Sequence, residues 1–378
     1  MSPLRIGSFC SGFGGLEMAV QAVFGGQTVF HADPDPGASK ILAHHWPTVP
    51  NLGDITALDW AEVAAEHGPV DIATMGFPCQ DLSLAGLRAG MRPGNRSGLW
   101  SHCAAGIQAL NPRIVVIENV RGLLSQPAHS DLEPCPWCVG DRGDEPVLRA
   151  LGAVLGDLAD LGRDAEWIGL PASDPAVGAC HPRWREIILA WQPGAFEDAD
   201  FAAGVERGAA APGQAEGRGA RADAGGRGGV PAAAEADAGL TLLPTPAARD
   251  WKSGESNIMD RNARPLNKVA VNWLPRRGDW IGTNGKDYGP AIRRWEAVTG
   301  RQAPEPTEPG DRGNRRLNPA FSEWMMGVPA GHITDVPGLS RDEQLRAIGN
   351  GVVWQQGAHA LRLLHGRAVH SLTDRRAA

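Results

Sequence analysis

No stretch of the 378-residue chain approaches the roughly 18 consecutive apolar residues that cross a bilayer, and Met1 to Phe9 lacks the long apolar core of a signal peptide. Both absences predict a soluble, cytoplasmic protein without a membrane partner. Cysteine is scarce as well. Six residues, Cys10, Cys79, Cys103, Cys135, Cys138 and Cys180, are too few for a disulfide scaffold of this length, and a reducing compartment would leave a thiol free to act as a nucleophile. Nor is there a surplus of positive charge: the formal net charge is -7, so a polyanion would have to be met by one face rather than by the whole surface. Residues 241–316 hold 14 Lys+Arg against 9 Asp+Glu, a basic stretch in an otherwise acidic chain. Internal repeats are not seen, which excludes a solenoid.

What is present points to one large core and a smaller unit, because single cores stop growing near roughly 250–300 residues. Short apolar or β-branched runs at Leu4–Phe9, Thr28–Ala32, Ile72–Met75, Ile114–Glu118 and Glu186–Trp191 alternate with helical patterns. The alternation predicts an α/β fold with a mostly parallel sheet covered on both faces. In Pro146–Leu161 the residues Val147, Leu148, Leu151, Val154, Leu155 and Leu158 recur at helical spacing, predicting a core-facing helix. Composition then changes. Residues 193–240 are dominated by Ala and Gly and bury too little surface to offset their ordering entropy, so they read as a flexible insertion or linker. Residues 241–314 bring back Trp251, Trp273, Trp280 and Trp295 among basic side chains, and residues 315–378 look compact again, ending in a helix.

The first strand runs into Cys10-Ser11-Gly12-Phe13-Gly14-Gly15 and then a helical run. Glycines at a strand-to-helix turn let the backbone approach a ligand while the new helix presents free N–H groups. Asp33 follows at the distance from Gly12 and Gly14 at which nucleotide folds place an acid on ribose hydroxyls, and Asp54 is placed to accept from an adenine amine. Either acid alone is more often a helix cap or turn residue. Gly12-Phe13-Gly14-Gly15 is not the G-x-G-x-x-G of nicotinamide binders.

The third strand ends in Gly76-Phe77-Pro78-Cys79-Gln80, which sets a thiol at the carboxyl end of a strand, where open α/β sheets keep their chemistry. The next strand ends in Glu118-Asn119-Val120, and His181-Pro182-Arg183-Trp184-Arg185 precedes the strand after it. Thiol, carboxyl and guanidinium at neighbouring strand ends suit attack on a pyrimidine. The thiolate adds to carbon 6, the Glu engages ring nitrogen 3, and an Arg fixes the ring oxygen.

In these ordered motifs the chain resembles the DNA cytosine-5 methyltransferases of bacterial or phage type. Gly76-Phe77-Pro78-Cys79-Gln80 is similar to the family's Pro-Cys loop, Glu118-Asn119-Val120 to its Glu-Asn-Val, and Arg183 with Arg185 to its paired arginines. Arg315-Arg316-Leu317-Asn318-Pro319 resembles the motif that closes the recognition region, and Gly349-Asn350-Gly351-Val352 the last, cofactor-contacting motif. The resemblance implies a Rossmann-like S-adenosylmethionine-dependent methyltransferase sheet with a smaller target-recognition domain. Residues 1–192 would form the catalytic and cofactor-binding domain, 241–314 the recognition region, and 315–378 motifs returning to the catalytic domain. Catalysis would fall to Cys79, Glu118, Arg183 and Arg185. Around S-adenosylmethionine would stand Ser11, Gly12, Gly14, Asp33, Asp54, Ile55, Pro78, Leu99, Asn350 and Val352. Ser83, Arg88, Arg92 and Arg96 would close over DNA as a loop, with Arg249 and Lys252 in the recognition region. The implied partner is double-stranded DNA, met by a monomer near the nucleoid, and a cognate restriction endonuclease is left open. Two departures stand out: the family has phenylalanine where this chain has Cys10, and Gln where it has His181.

Cys135-Pro136-Trp137-Cys138 has zinc-knuckle spacing, with His129, Cys180 and His181 as conceivable ligands, yet a single C-x-x-C favours a reduced loop, and no metal is expected. Three other readings compete. An RNA methyltransferase of the same fold would carry a Cys-Phe-Thr motif that this chain lacks. A nicotinamide dehydrogenase gives Cys79 and Glu118 no joint purpose, and a non-catalytic DNA-binding module needs neither.

Overall fold

The structure, a computed structural model, describes residues 3–77, 99–124, 150–197, 240–251, 265–271, 280–282, 285–310 and 313–377. Six strands form one sheet: β1 (Arg5–Phe9), β2 (Gln27–Ala32), β3 (Ile72–Met75), β4 (Ile114–Asn119), β5 (Asp164–Pro171) and β6 (Trp184–Trp191), in the order β2-β1-β3-β4-β6-β5. β1 runs parallel to β2 and β3, and β3 parallel to β4, while β6 is antiparallel to β4. Every residue of β3 and β4 is buried, as expected of central strands covered on both faces. From β1 the chain winds out to β2 and returns to β3 on the other side. That reversal opens a crevice at the carboxyl ends of β1 and β3.

The five strands expected from the sequence are all present, shifted at their ends by two residues or fewer. β5 was not foreseen. Its Asp164-Ala165-Glu166-Trp167 half mixes polar and apolar residues and is only partly buried, as suits the edge of a sheet.

The helices α1 (Gly15–Phe24), α2 (Pro36–His45), α3 (Trp60–His67), α4 (Leu99–Leu110) and α5 (Ala150–Asp160) are the crossovers and cover of this sheet. α2 starts where Pro36 presets the helical φ and the Asp35 side chain accepts from the N–H groups of Gly37 and Ala38. In α4 the fully buried Trp100 donates its indole N–H to Asp157 of α5 at 2.7 Å, so neither buried polar group is left unpaired. The helix expected over Pro146–Leu161 is seen as α5. Its first four expected residues lie outside the described ones.

The chain divides into two compact units. Residues 1–168, 185–209 and 360–378 form one, and residues 169–184 and 210–359 the other. The second unit contains the helices Leu266–Val271, Gly289–Thr299, Pro319–Met325 and Arg341–Asn350 and a two-stranded ribbon of β7 (Thr307–Pro309) with β8 (Arg315–Leu317). Its core centres on Trp295, which donates to the Trp324 carbonyl at 2.9 Å. Of the Ala/Gly-rich stretch 193–240, only residues 193–197 and 240 are described. Among the described residues no helix is long and apolar enough to cross a membrane.

Candidate active site

The glycine turn between β1 and α1 needs left-handed backbone at three residues, Cys10 (φ 53), Gly12 (φ 55) and Gly14 (φ 87). Glycine adopts this conformation freely, whereas at Cys10 an L side chain accepts it at a cost. Asp33, just after β2, fastens the turn: one carboxylate oxygen accepts from the Gly12 N–H at 2.8 Å and the other from the Asp35 N–H at 2.9 Å. Asp33 is buried, and burial pushes its pKa up. Asp54 is exposed and accepts from the Thr56 N–H at 2.9 Å. The Cys10 thiol is pushed up to about 12, chiefly by burial and then by the charges of Asp33 and Asp54. A thiol raised in this way stays protonated and unreactive at neutral pH.

Phe9 is fully buried, stacked on Phe30 with ring centroids 6.0 Å apart and tilted on Trp60 at 4.6 Å. It is a core residue, so it does not supply the aromatic surface that the family has where Cys10 stands. Ser11 is buried at the turn, Ile55 lies in the core, and Leu99 is partly buried at the start of α4. In the second unit Asn350 is exposed at the end of its helix and Val352 is buried.

At the ends of β3 and β4 the backbone and side chains interlock. Asn119 donates its amide to the Phe77 carbonyl at 3.1 Å, and a Cβ on Gly76 would sit 3.6 Å from a Glu118 carboxylate oxygen. Glu118 is ion-paired with the Arg185 guanidinium on β6, both side chains being nearly buried. Pro78, Cys79, Ser83, Arg88, Arg92, Arg96 and Lys252 lie outside the described residues, as do His129, Cys135 and Cys138. Gly76 and Phe77 are the last described residues before Cys79, and Glu118 stands beside them.

Arg183 is held by backbone carbonyls. Its guanidinium is buried and donates to the carbonyls of Pro246 at 3.2 Å, Gly349 at 3.1 Å and Gly351, while its own N–H donates to the Thr245 hydroxyl at 3.1 Å. It ties together backbone segments of the second unit. His181 is likewise buried, with Nε2 3.0 Å from the Met325 carbonyl. Cys180 is a buried free thiol whose pKa is pushed up by burial. Arg249 is exposed, while its neighbour Asp250 is buried, accepts from the Ala247 N–H at 2.7 Å, and is raised by burial to about 6.

The sequence reading missed Glu17, which is fully buried beneath the turn and accepts a hydrogen bond from the Ser8 hydroxyl. A signal for it existed. Glu17 precedes Val20 and Phe24 by three and seven positions, which puts it on the inward stripe of α1.

A solved structure of a Spodoptera frugiperda DNMT2 mutant matches with a TM-score of 0.50 at 15% identity, over 96% of this chain and 99% of that one. At that identity the likeness concerns the fold alone. Residues 4–135 match the family model of the C-5 cytosine-specific DNA methylases. Among curated relatives, a DNA N-6-adenine-methyltransferase of Escherichia phage P1 is 37% identical over 193 residues, 49% of this chain and 22% of the relative. Type II methyltransferase M.Eco47II of Escherichia coli is 31% identical over 177 residues, 42% and 40% respectively, and M.AluI of Cellulosimicrobium cellulans 35% over 122 residues, 32% and 23%. The chain thus spans less than half the length of these relatives.

Proposed function

We propose that the protein methylates carbon 5 of cytosine in duplex DNA with S-adenosylmethionine as donor, using Cys79 as a covalent nucleophile. The observation that carries this reading is the interlock of strand ends: Glu118, paired with Arg185, stands against Gly76 and Phe77, the residues that lead into Pro78-Cys79.

The glycine turn suits a nucleoside cofactor with a positive centre. Its backbone is open at Gly12, where a Cβ would meet no atom within 4 Å, and the acids Asp33 and Asp54 bear on it. Asp33 would accept from ribose hydroxyls and Asp54 from the adenine amine, with Ser11, Gly14 and Leu99 completing the contacts. When bound, S-adenosylmethionine supplies an electrophilic methyl group. Carbon 5 of cytosine is too weak a nucleophile for it until a group adds at carbon 6. The Cys79 thiolate would make that bond once the base is extruded from the stack, at a cost of a few kcal/mol. Glu118 would hold ring nitrogen 3 and offset the developing charge, while Arg185 orients Glu118 and reaches the ring oxygen. After methylation the carbon 5 proton leaves to a base and the bond to Cys79 breaks, restoring the thiolate. The basic residues 241–314, Arg249 and Lys252 among them, would contact DNA phosphates and base edges, and a restriction endonuclease would be the natural counterpart.

The test is methyl transfer from labelled donor to duplex DNA and to transfer RNA, followed by digestion and identification of the modified base. 5-Methylcytosine in DNA is the expected product. N6-Methyladenine would overturn the reading, since an exocyclic amine attacks the donor methyl group without help from a thiol, and so would label confined to RNA. Duplex DNA with 5-fluorocytosine at the target should trap a denaturant-resistant complex with wild type and none with Cys79→Ser.

A further inference from the structure

Ser8 on β1 stands in register between His31 of β2 and Thr74 of β3, so the three side chains share one face of the sheet. All three are buried, and over them lies the first turn of α1 with the fully buried Glu17. The Ser8 hydroxyl donates to Glu17 Oε1, and its oxygen is 2.7 Å from the Ser11 hydroxyl. When Glu17 is ionised the Ser8 proton is committed to it, so the Ser11 proton points to Ser8, which leaves the Ser11 oxygen an acceptor on the turn. The Ala32 N–H, 3.4 Å away, donates to that same oxygen. A polarised chain of hydroxyls therefore runs from the buried carboxyl to the cofactor turn.

Among the described residues, the groups bearing on Glu17 leave it without a cation. Thr74 on β3 faces it with a hydroxyl, and the negative charge of Asp33 after β2 opposes its ionisation. His31, whose ring nitrogens have no hydrogen-bond partner among the described residues, is held neutral because burial lowers it to about 4. Burial first, then Asp33, raises Glu17 to about 8. A carboxyl balanced in this way responds to a positive charge brought to the turn.

We propose that Glu17 is a positioning residue for the methyl donor: through Ser8 it directs Ser11, and it gives up its proton when the positively charged sulfonium binds but not when the neutral, demethylated product does. The proposal rests on the cofactor reading given above. It provides a means to tell donor from product, because a sulfonium and a thioether of nearly equal shape differ in charge, and a buried carboxylate pairs with the first alone. The proton goes to solvent on donor binding and is taken up again when product replaces donor.

Calorimetric titration of the full chain near pH 8, in buffers of different ionisation enthalpy, counts protons exchanged on binding S-adenosylmethionine or S-adenosylhomocysteine. Wild type is compared with Glu17→Gln and, should that variant not fold, with the apolar Glu17→Leu. Comparing each ligand across proteins cancels the titration of the ligand's own amino group. The expected result is that losing Glu17 removes up to about half a proton of release for the donor and leaves the proton balance of the product unchanged. A donor balance identical in wild type and variant, or an equal change for both ligands, overturns the proposal alone. No binding of either ligand to wild type overturns the cofactor reading itself, and this proposal with it.

Discussion

Glu118 and Arg185 meet diagonally across the antiparallel β4–β6 ladder, in which Glu118 stands opposite Ile187 and Arg185 lies two residues before it on the same face. Diagonal neighbours are too far apart for short side chains but within reach of a Glu and an Arg. Arg185→Ala should therefore leave a nearly buried carboxylate unpaired. The expected cost is about 3–5 kcal/mol of folding stability, read by urea denaturation at neutral pH. Arg185→Ala combined with Glu118→Gln should recover much of it. A single variant with unchanged stability would show that the pair is not the clasp described.

The turn at Asp33 gives a prediction separable from stability. Asp33→Asn keeps one accepting oxygen and so loses either the Gly12 or the Asp35 bond. Loss of one such bond is worth about 1–1.5 kcal/mol, so S-adenosylmethionine binding should weaken by roughly tenfold with the circular dichroism spectrum preserved. Affinity equal to wild type would dissociate Asp33 from the cofactor site.

Gly349 carries no positive φ, yet it admits no side chain: a Cβ there would lie 2.0 Å from the Ala248 nitrogen and 2.3 Å from the Ala247 carbonyl carbon. Backbone cannot swing aside as a flexible side chain would, and the same segment is held by Arg183 through the Pro246 carbonyl. Gly349→Ala should destabilise by about 3 kcal/mol or more, whereas Gly366→Ala, with open space around it, should not lower the melting temperature. Equal melting temperatures would refute the close approach.

Which parts of this were legible beforehand follows from locality. β4 announces itself as the run Ile114-Val115-Val116-Ile117 and β3 as the short run Ile72–Met75, because a central strand buried on both faces favours apolar residues. Glu118 was legible because the end of such a strand is a fixed address. Arg183 was not. Its hydrogen bonds run to the segments at 245–246 and 349–351, distant in sequence, and spacing alone does not announce such partners. Glu17 was missed because an acid in a helix's first turn ordinarily faces water and complements the macrodipole. Its burial depends on Ser8 and Thr74 arriving from two other strands.

The buried pair on α1 and β2 also sets a pH profile whose limbs have opposite signs. Glu17 ionises at about 8 when folded against its ordinary 4.5. Between those values the folded state holds a proton that the unfolded state has released, and stability falls as pH rises, levelling off above about 8. His31 runs the other way, titrating at about 4 when folded against its ordinary 6.5. Below 6.5 the unfolded chain takes up a proton that the folded chain refuses, so stability is lost as pH falls toward 4. Where the two windows overlap, from 4.5 to 6.5, the slopes offset one another. Other buried acids titrate as well, Asp250 near 6 among them, so the measurement is the difference in unfolding free energy between wild type and variant at each pH. The Glu17→Gln difference should be level below about 4.5, grow in favour of the variant up to about 8, and be level again beyond. The His31→Phe difference should grow in favour of the variant only as pH falls from 6.5 to 4. Urea unfolding at closely spaced pH values reads both. A Glu17→Gln curve parallel to wild type from pH 5 to 8 would mean that the carboxyl is already ionised in its buried place, and that no proton is held there for the donor to release.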